Sequence, residues 1–130
     1  MRLLLDTHTF LWFAFKAPEL PLLTRELLED DASDLYFSHA SVWEMAIKVS
    51  IGKLHFSTDV IALVTEQMQK EDILPLPINY THLALIEAMP LHHKDPFDRL
   101  LIAQAQAENL IVVSIDAGFD RYGITRLWPT

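Results

Sequence analysis

Cysteine is absent from the 130 residues, which excludes disulfides, zinc–thiolate centres and thiol nucleophiles together. A chain without disulfides suits the cytoplasm, and that compartment is the expectation. Also missing is any apolar run near the ~18 residues of a membrane helix. The segment Met1-Arg2-Leu3-Leu4-Leu5 briefly imitates a signal peptide, but Asp6, Thr7 and His8 break it and no small-residue cleavage site follows cleanly. Positive charge is scarce: 10 Lys and Arg stand against 18 Asp and Glu, a net charge of −8. That balance argues against a nucleic-acid binder working by bulk charge. Much of the acidity is local, in Glu26, Glu29, Asp30, Asp31 and Asp34, and reads as a solvated helix face and loop. An acidic protein can still act on nucleic acid when a bound metal reverses the sign of its active site.

What is present is an ordinary globular composition, 51% hydrophobic and 22% charged, long enough to bury a substantial core. No repeat, low-complexity tract or linker divides it, so residues 1–130 form a single domain. Strand and helix signals alternate. Residues 2–6 predict a buried strand, and Thr7 to about Phe15 a helix. Pro18 and Pro21 break the chain before a helix over Leu22–Asp30. Leu35-Tyr36-Phe37 predicts a second strand, 41–50 a helix ended by Gly52, and Thr58–Lys70 an amphipathic helix. With Pro75 and Pro77, residues 73–78 suit only an edge strand or extended segment. Asn79–Ala88 and Asp95–Glu108 predict helices, the second with Pro96 in its first turn. Residues 110–115 are the clearest strand, and 125–127 a last short one. Apolar strands alternating with helices predict an α/β fold, a parallel sheet covered on both faces.

Four acids stand at the edges of these segments, each with an ordinary structural role available. Asp6 ends the first strand and can cap the helix that follows. Ser41-Val42-Trp43-Glu44 matches a capping box, and Glu44 can pair with Lys48 one turn on. In Asp95-Pro96-Phe97-Asp98, Asp95 is the expected cap and Asp98 a first-turn acid favoured by the helix dipole. Asp116 can start a turn. Taken jointly, two acids follow strands and two lie in first helical turns, positions that an open α/β sheet brings to one edge. Like charges held close repel unless a cation neutralises them, and oxygen-only ligation suits Mg²⁺ or Mn²⁺. Metal-assisted attack of water on a phosphodiester is the chemistry such a site serves. The six histidines show no ligand spacing, and neither His92-His93 nor the others are assigned to catalysis. Trp12, Phe13, Trp43 and Met45 are expected in the core, with a groove for a partner helix as their other use.

With these residues in view the whole chain resembles the PIN-domain family, most closely the VapC-type toxins of bacterial toxin–antitoxin pairs. The resemblance rests on Leu4-Leu5-Asp6-Thr7-His8, on the specific run from His92 through Asp95-Pro96-Phe97-Asp98-Arg99 to Ala105, and on Val113-Ser114-Ile115-Asp116. It implies a three-layer α/β/α fold with a central parallel sheet, and a Mg²⁺- or Mn²⁺-dependent endoribonuclease. It further implies a cognate antitoxin inserting a segment near the site, and a homodimer. Carried over residue by residue, the acids are Asp6, Glu44, Asp98 and Asp116, with Ser114 at the family's hydroxyl position and Thr7 supporting Asp6. Of the two acids in the middle run, Asp98 is the ligand, 18 residues before Asp116, and Asp95 a supporting group. Arg99 has two readings, a phosphate contact or an ion pair with a nearby acid. Ile102-Ala103-Gln104-Ala105 departs from the family's more general Ile-Ala-Ala. The alternative function is a catalytically silent PIN-like module that binds protein. A phosphotransfer enzyme ranks below both, because His8 stands where a second aspartate is wanted.

Overall fold

Neighbouring residues of the run Leu3-Leu4-Leu5 face opposite ways and are all fully buried, so the strand they form must be covered on both sides. The computed structural model describes residues 1–92 and 94–130, so His93 lies outside the described residues. In it, β1 (Arg2–Leu5) is the central strand of a five-stranded sheet ordered β3-β2-β1-β4-β5. The others are β2 (Asp34–Ser38), β3 (Ile73–Leu76), β4 (Ile111–Val113) and β5 (Arg126–Leu127), and every pairing is parallel. Helices α1 (Thr7–Ala14), α2 (Leu22–Glu29), α3 (His39–Ser50), α4 (Val60–Lys70), α5 (Tyr80–Ala88) and α6 (Pro96–Glu108) complete the chain, with a 3-10 segment at Ala117–Tyr122.

Two cores lie on the two faces of the sheet. Leu3 and Leu5 pack with Phe10 and Phe13 of α1, Met45 of α3, and Leu63 and Val64 of α4. Leu4 and Val112 pack with Leu101, Ile102 and Ala105 of α6 and with Phe119. This is the expected three-layer α/β/α arrangement. Pro75 sits in β3 at the sheet edge, paired in register only with Phe37 of β2, where a missing N–H costs no ladder bond. No helix among the described residues is long and apolar enough to cross a membrane.

Local chemistry adds to or corrects the sequence reading at three places. First, α3 begins at His39, capped by the Ser38 hydroxyl, which accepts from the Ala40 N–H at 2.9 Å. Ser41 is therefore inside the helix, buried, with no hydrogen-bond partner for its hydroxyl among the described residues. The Ser41–Glu44 capping box does not form, and Glu44 lies in the second turn. Second, a capping box does exist at the start of α5. There the Asn79 side chain accepts from the His82 N–H and the His82 ring accepts from the Asn79 N–H, an imidazole standing where the usual motif has Glu or Gln. Third, Phe13 and Met45 are core but Trp43 is 53% exposed.

A candidate metal centre at the carboxyl edge of the sheet

Strand order reverses beside β1, since β2 and β3 extend to one side and β4 and β5 to the other. At such a point the chain leaves adjacent strands in opposite directions, opening a crevice at their carboxyl ends. Leu5 lies in register with Val113, so Asp6 and Ser114 emerge next to each other there. The Asp6 N–H donates to the Val113 carbonyl at 3.3 Å.

Asp6 is both strand end and helix cap. Its Oδ1 accepts from the Thr9 N–H at 2.9 Å, and the Thr9 hydroxyl in turn donates to the Val113 carbonyl at 2.9 Å. Thr7, the first residue of α1, donates its hydroxyl to Oε1 of Glu44 at 2.6 Å rather than supporting Asp6 by a hydrogen bond of its side chain. Lys48 reaches back one turn of α3 to Oε2 of Glu44 at 3.1 Å. That pair was legible from the spacing, but its place among the acids was not. Asp95 caps α6 by accepting from the N–H groups of Phe97 and Asp98 at 2.8 and 3.2 Å, with Pro96 first in the helix. Asp98 follows in the first turn. Asp116 caps the 3-10 segment through the Gly118 N–H at 2.8 Å, while its own N–H donates to the buried Ser114 hydroxyl at 3.0 Å.

Electrostatics link the other acids to Asp98. Asp98 has its carboxyl pushed up from 3.8 to about 7, first by burial and then by the negative charges of Asp95, Glu44, Asp6 and Asp116. Every acid singled out in the sequence therefore acts on Asp98 at short enough range to hinder its ionisation. Trp43 and Phe97, the residues before Glu44 and Asp98, meet edge to face at 5.0 Å between ring centroids and brace α3 against α6 beside the acids.

Cations near the site are few. Arg99 turns toward the end of α5, donating to the carbonyls of Ile86 and Pro90 at 3.2 and 3.3 Å. Arg126 of β5, which no sequence signal marked, donates to the Ser114 carbonyl at 3.0 Å and forks onto Asp120 at 2.9 and 3.1 Å. Its proton is held more tightly by that bond and by the charges of Asp120 and Asp116. His82, fully buried, is hydrogen-bonded to Glu108 at 2.9 Å. A cavity of about 900 Å³ opens elsewhere, between α4 and the β3 edge, lined by Phe37, Val42, Ile61, Val64 and Met68 among others. None of the four acids borders it, and its apolar walls do not suit an ionic ligand.

The donors are all oxygen and all acidic, and they hold a proton on one member near neutrality, which fits a hard divalent cation in type and in charge. Among the described residues no three acidic or imidazole side chains close into a group able to grip one ion unaided. Mg²⁺ normally keeps several waters, so an ion of this kind does not require a full cage of side chains.

The sequence profile of the PIN domain matches residues 3–124. No curated protein matches the chain. Among solved structures, VapBC2 from Rickettsia felis, bound to a DNA fragment from its promoter, is similar at TM-score 0.70 and 14% identity, covering 98% of each chain. VapBC-1 from nontypeable Haemophilus influenzae is similar at TM-score 0.64 and 14% identity, covering 98% of this chain and 97% of that one. FitAB bound to an IR36 DNA fragment is similar at TM-score 0.60 and 20% identity, covering 98% and 96%.

Proposed function

Because this chain belongs to the PIN-domain family, whose enzymes are generally nucleases, we propose that it is a metal-dependent endoribonuclease and the toxin of a toxin–antitoxin pair. The observation that carries the reading is the placement of Asp6 beside Ser114 at the carboxyl edge of the sheet, with the Asp116 N–H on the Ser114 hydroxyl and Glu44 bonded to Thr7 directly after Asp6. Asp6, Glu44, Asp98 and Asp116 would hold one or two Mg²⁺ or Mn²⁺ ions, directly or through water. Such an ion supplies charge neutralisation at the scissile phosphate and a more acidic attacking water.

The chain's own residues set up that chemistry. Asp6 is fixed by its cap on α1, Asp116 by the Ser114 hydroxyl and the Gly118 N–H, and Asp98 by the first turn of α6. Holding carboxylates in place before substrate arrives removes the reorganisation that free side chains would need in the transition state. The buried floor of Leu5, Val113 and Ser114 keeps water from screening them on one side. A carboxylate of the set serves as general base.

The similar structures carry the paired names VapBC and FitAB, which supports a cognate antitoxin as partner. We extend the reading to a homodimer acting on RNA in the cytoplasm. A ribonuclease assay with Mg²⁺, with EDTA and with Asp6→Asn tests it, and cleavage is expected only in the first arm. Equal cleavage in all three arms would sink the metal mechanism. Absence of cleavage in all three, with an antitoxin-like partner still bound, would favour the silent binding module. Mapping the RNA ends left after brief induction would identify the substrate.

A further inference from the structure

We infer that Arg126 is a positioning residue for Asp116, its guanidinium holding the chain on both sides of that acid; the inference rests on the metal-site reading above. Arg126 lies in register with Val112, and the ladder between β4 and β5 ends where the Ser114 N–H donates to the Leu127 carbonyl at 3.3 Å. Beyond it the chain turns into the 3-10 segment Ala117–Tyr122, with Ile115 exposed between them. Short 3-10 turns have poorer hydrogen-bond geometry than an α-helix. The bonds that shape this one are local. The Asp116 N–H meets the Ser114 hydroxyl, the Gly118 N–H meets Asp116 Oδ1, and the Phe119 N–H meets the Asp116 carbonyl at 3.3 Å. Such bonds set the form of the turn and not its place on the sheet.

Two anchors supply the place. Phe119 is buried in the core that Leu4 and Val112 share. Arg126 grips the chain on either side of Asp116. Its Nη1 donates to the Ser114 carbonyl at 3.0 Å, while Nε and Nη2 fork onto the two carboxylate oxygens of Asp120 at 2.9 and 3.1 Å. A planar guanidinium can span a carbonyl and a carboxylate together, whereas an ammonium offers one nitrogen. The Arg126 side chain is 19% exposed and that of Asp120 53%, so the pair contributes little to global stability. Its effect lies in orientation, which a bidentate bond fixes. Groups that orient metal-binding side chains control affinity without touching the ion.

Arg126→Lys keeps the charge and loses the fork, and Arg126→Gln loses both. In EDTA, hydrogen exchange followed by NMR should show the Asp116 and Gly118 amides exchanging at least about tenfold faster in each variant, with the amides of β1 unchanged. The melting midpoint should move by less than about 5 °C. Mn²⁺ binding, read by EPR, should weaken about tenfold in both. By charge alone Arg126→Gln should tighten it, so weaker binding there reports position. Exchange and Mn²⁺ binding in Arg126→Lys equal to those of the unaltered protein would overturn the inference. So would faster exchange with unchanged Mn²⁺ binding, since Asp116 would then work without being held. Faster exchange spread through β1 would reveal a general structural role and overturn it too. If neither Arg126 variant folds, Asp120→Ala, which removes the fork from its exposed end, decides by the same readings. Failure of the unaltered protein to bind Mn²⁺ would instead overturn the metal-site reading, while the exchange rates would still decide whether Arg126 holds Asp116.

Discussion

Asp98 carries an electrostatic cost that only a proton or a cation relieves. Its carboxyl is raised to about 7, by burial first and by four neighbouring acids after that. Between the ordinary carboxylate value of 3.8 and about 7, the folded chain keeps a proton that the unfolded chain has lost. The native state binds more protons in that window, so its stability falls as pH rises through it and levels off above. Taken in full the shift would be on the order of 4 kcal/mol. Solvent screening of a half-buried group reduces it to on the order of 1–2 kcal/mol. Asp98→Asn, a permanent mimic of the protonated form, should thus match the unaltered protein near pH 4 without metal and exceed it by that amount at pH 8. Urea denaturation at both pH values in EDTA measures the difference, and an equal gain at both would mean that Asp98 does not titrate as described. Single residues were legible here because each acid ends or opens an apolar segment. What could not be read was which oxygen is already taken: Thr7 looked like support for Asp6 and proved to hold Glu44.

The start of α6 separates two jobs that one sequence run performs. Asp95 caps the helix and also ranks first among the charges acting on Asp98. Asp95→Ala should lose both, fraying the first turn at a cost of about 1 kcal/mol. Asp95→Ser should keep the cap and lose only the charge, leaving stability near the original while the Asp98 carboxyl titrates lower in both variants. Urea melts and carboxyl NMR titrations distinguish the two, and a normal Asp98 titration retained in Asp95→Ser would implicate the cap and not the charge. The same helix explains the departure at Gln104. The side chain is fully buried, accepts from the Ser38 hydroxyl at 2.5 Å and donates to the Pro77 carbonyl at 3.3 Å. It ties α6 to the ends of β2 and β3, so Gln104→Ala, which leaves a cavity and unpaired polar groups, should cost about 2–4 kcal/mol in the same melts. Helices and strands were legible from periodicity because core burial enforces it. The start of α3 was not, because Ser38 and Ser41 are both good caps in isolation and only the end of β2 decides between them. Trp43 was misplaced for a related reason: hydrophobicity predicts burial, yet this ring works at the surface, bracing Phe97.

At the scale of the whole chain, a net charge of −8 concentrates its consequences where the fold brings acids together. The exposed acids around α2 are solvated and repel weakly through water and salt. At the carboxyl edge of the sheet Asp6 is buried and Asp98 partly so, and for these two water and salt give less relief. A divalent cation should therefore stabilise the native state well beyond ionic strength alone, because the unfolded chain separates the same carboxylates. With the ion at about a hundredfold over its dissociation constant, mass action contributes about 2.7 kcal/mol. For a domain of this size that corresponds to a rise in melting temperature on the order of 10 °C. Mg²⁺ or Mn²⁺ should produce the rise, EDTA should reverse it, and NaCl at matched ionic strength should give only a small part of it. In the double variant Asp6→Asn, Asp98→Asn the metal-free protein should melt higher than the unaltered one, since repulsion is removed, while its response to Mg²⁺ should shrink to the NaCl level. The two changes have opposite signs, which a general loss of folding cannot imitate. An undiminished Mg²⁺ response in that variant would place the cation elsewhere on this acidic surface and would separate the carboxyl edge of the sheet from metal binding.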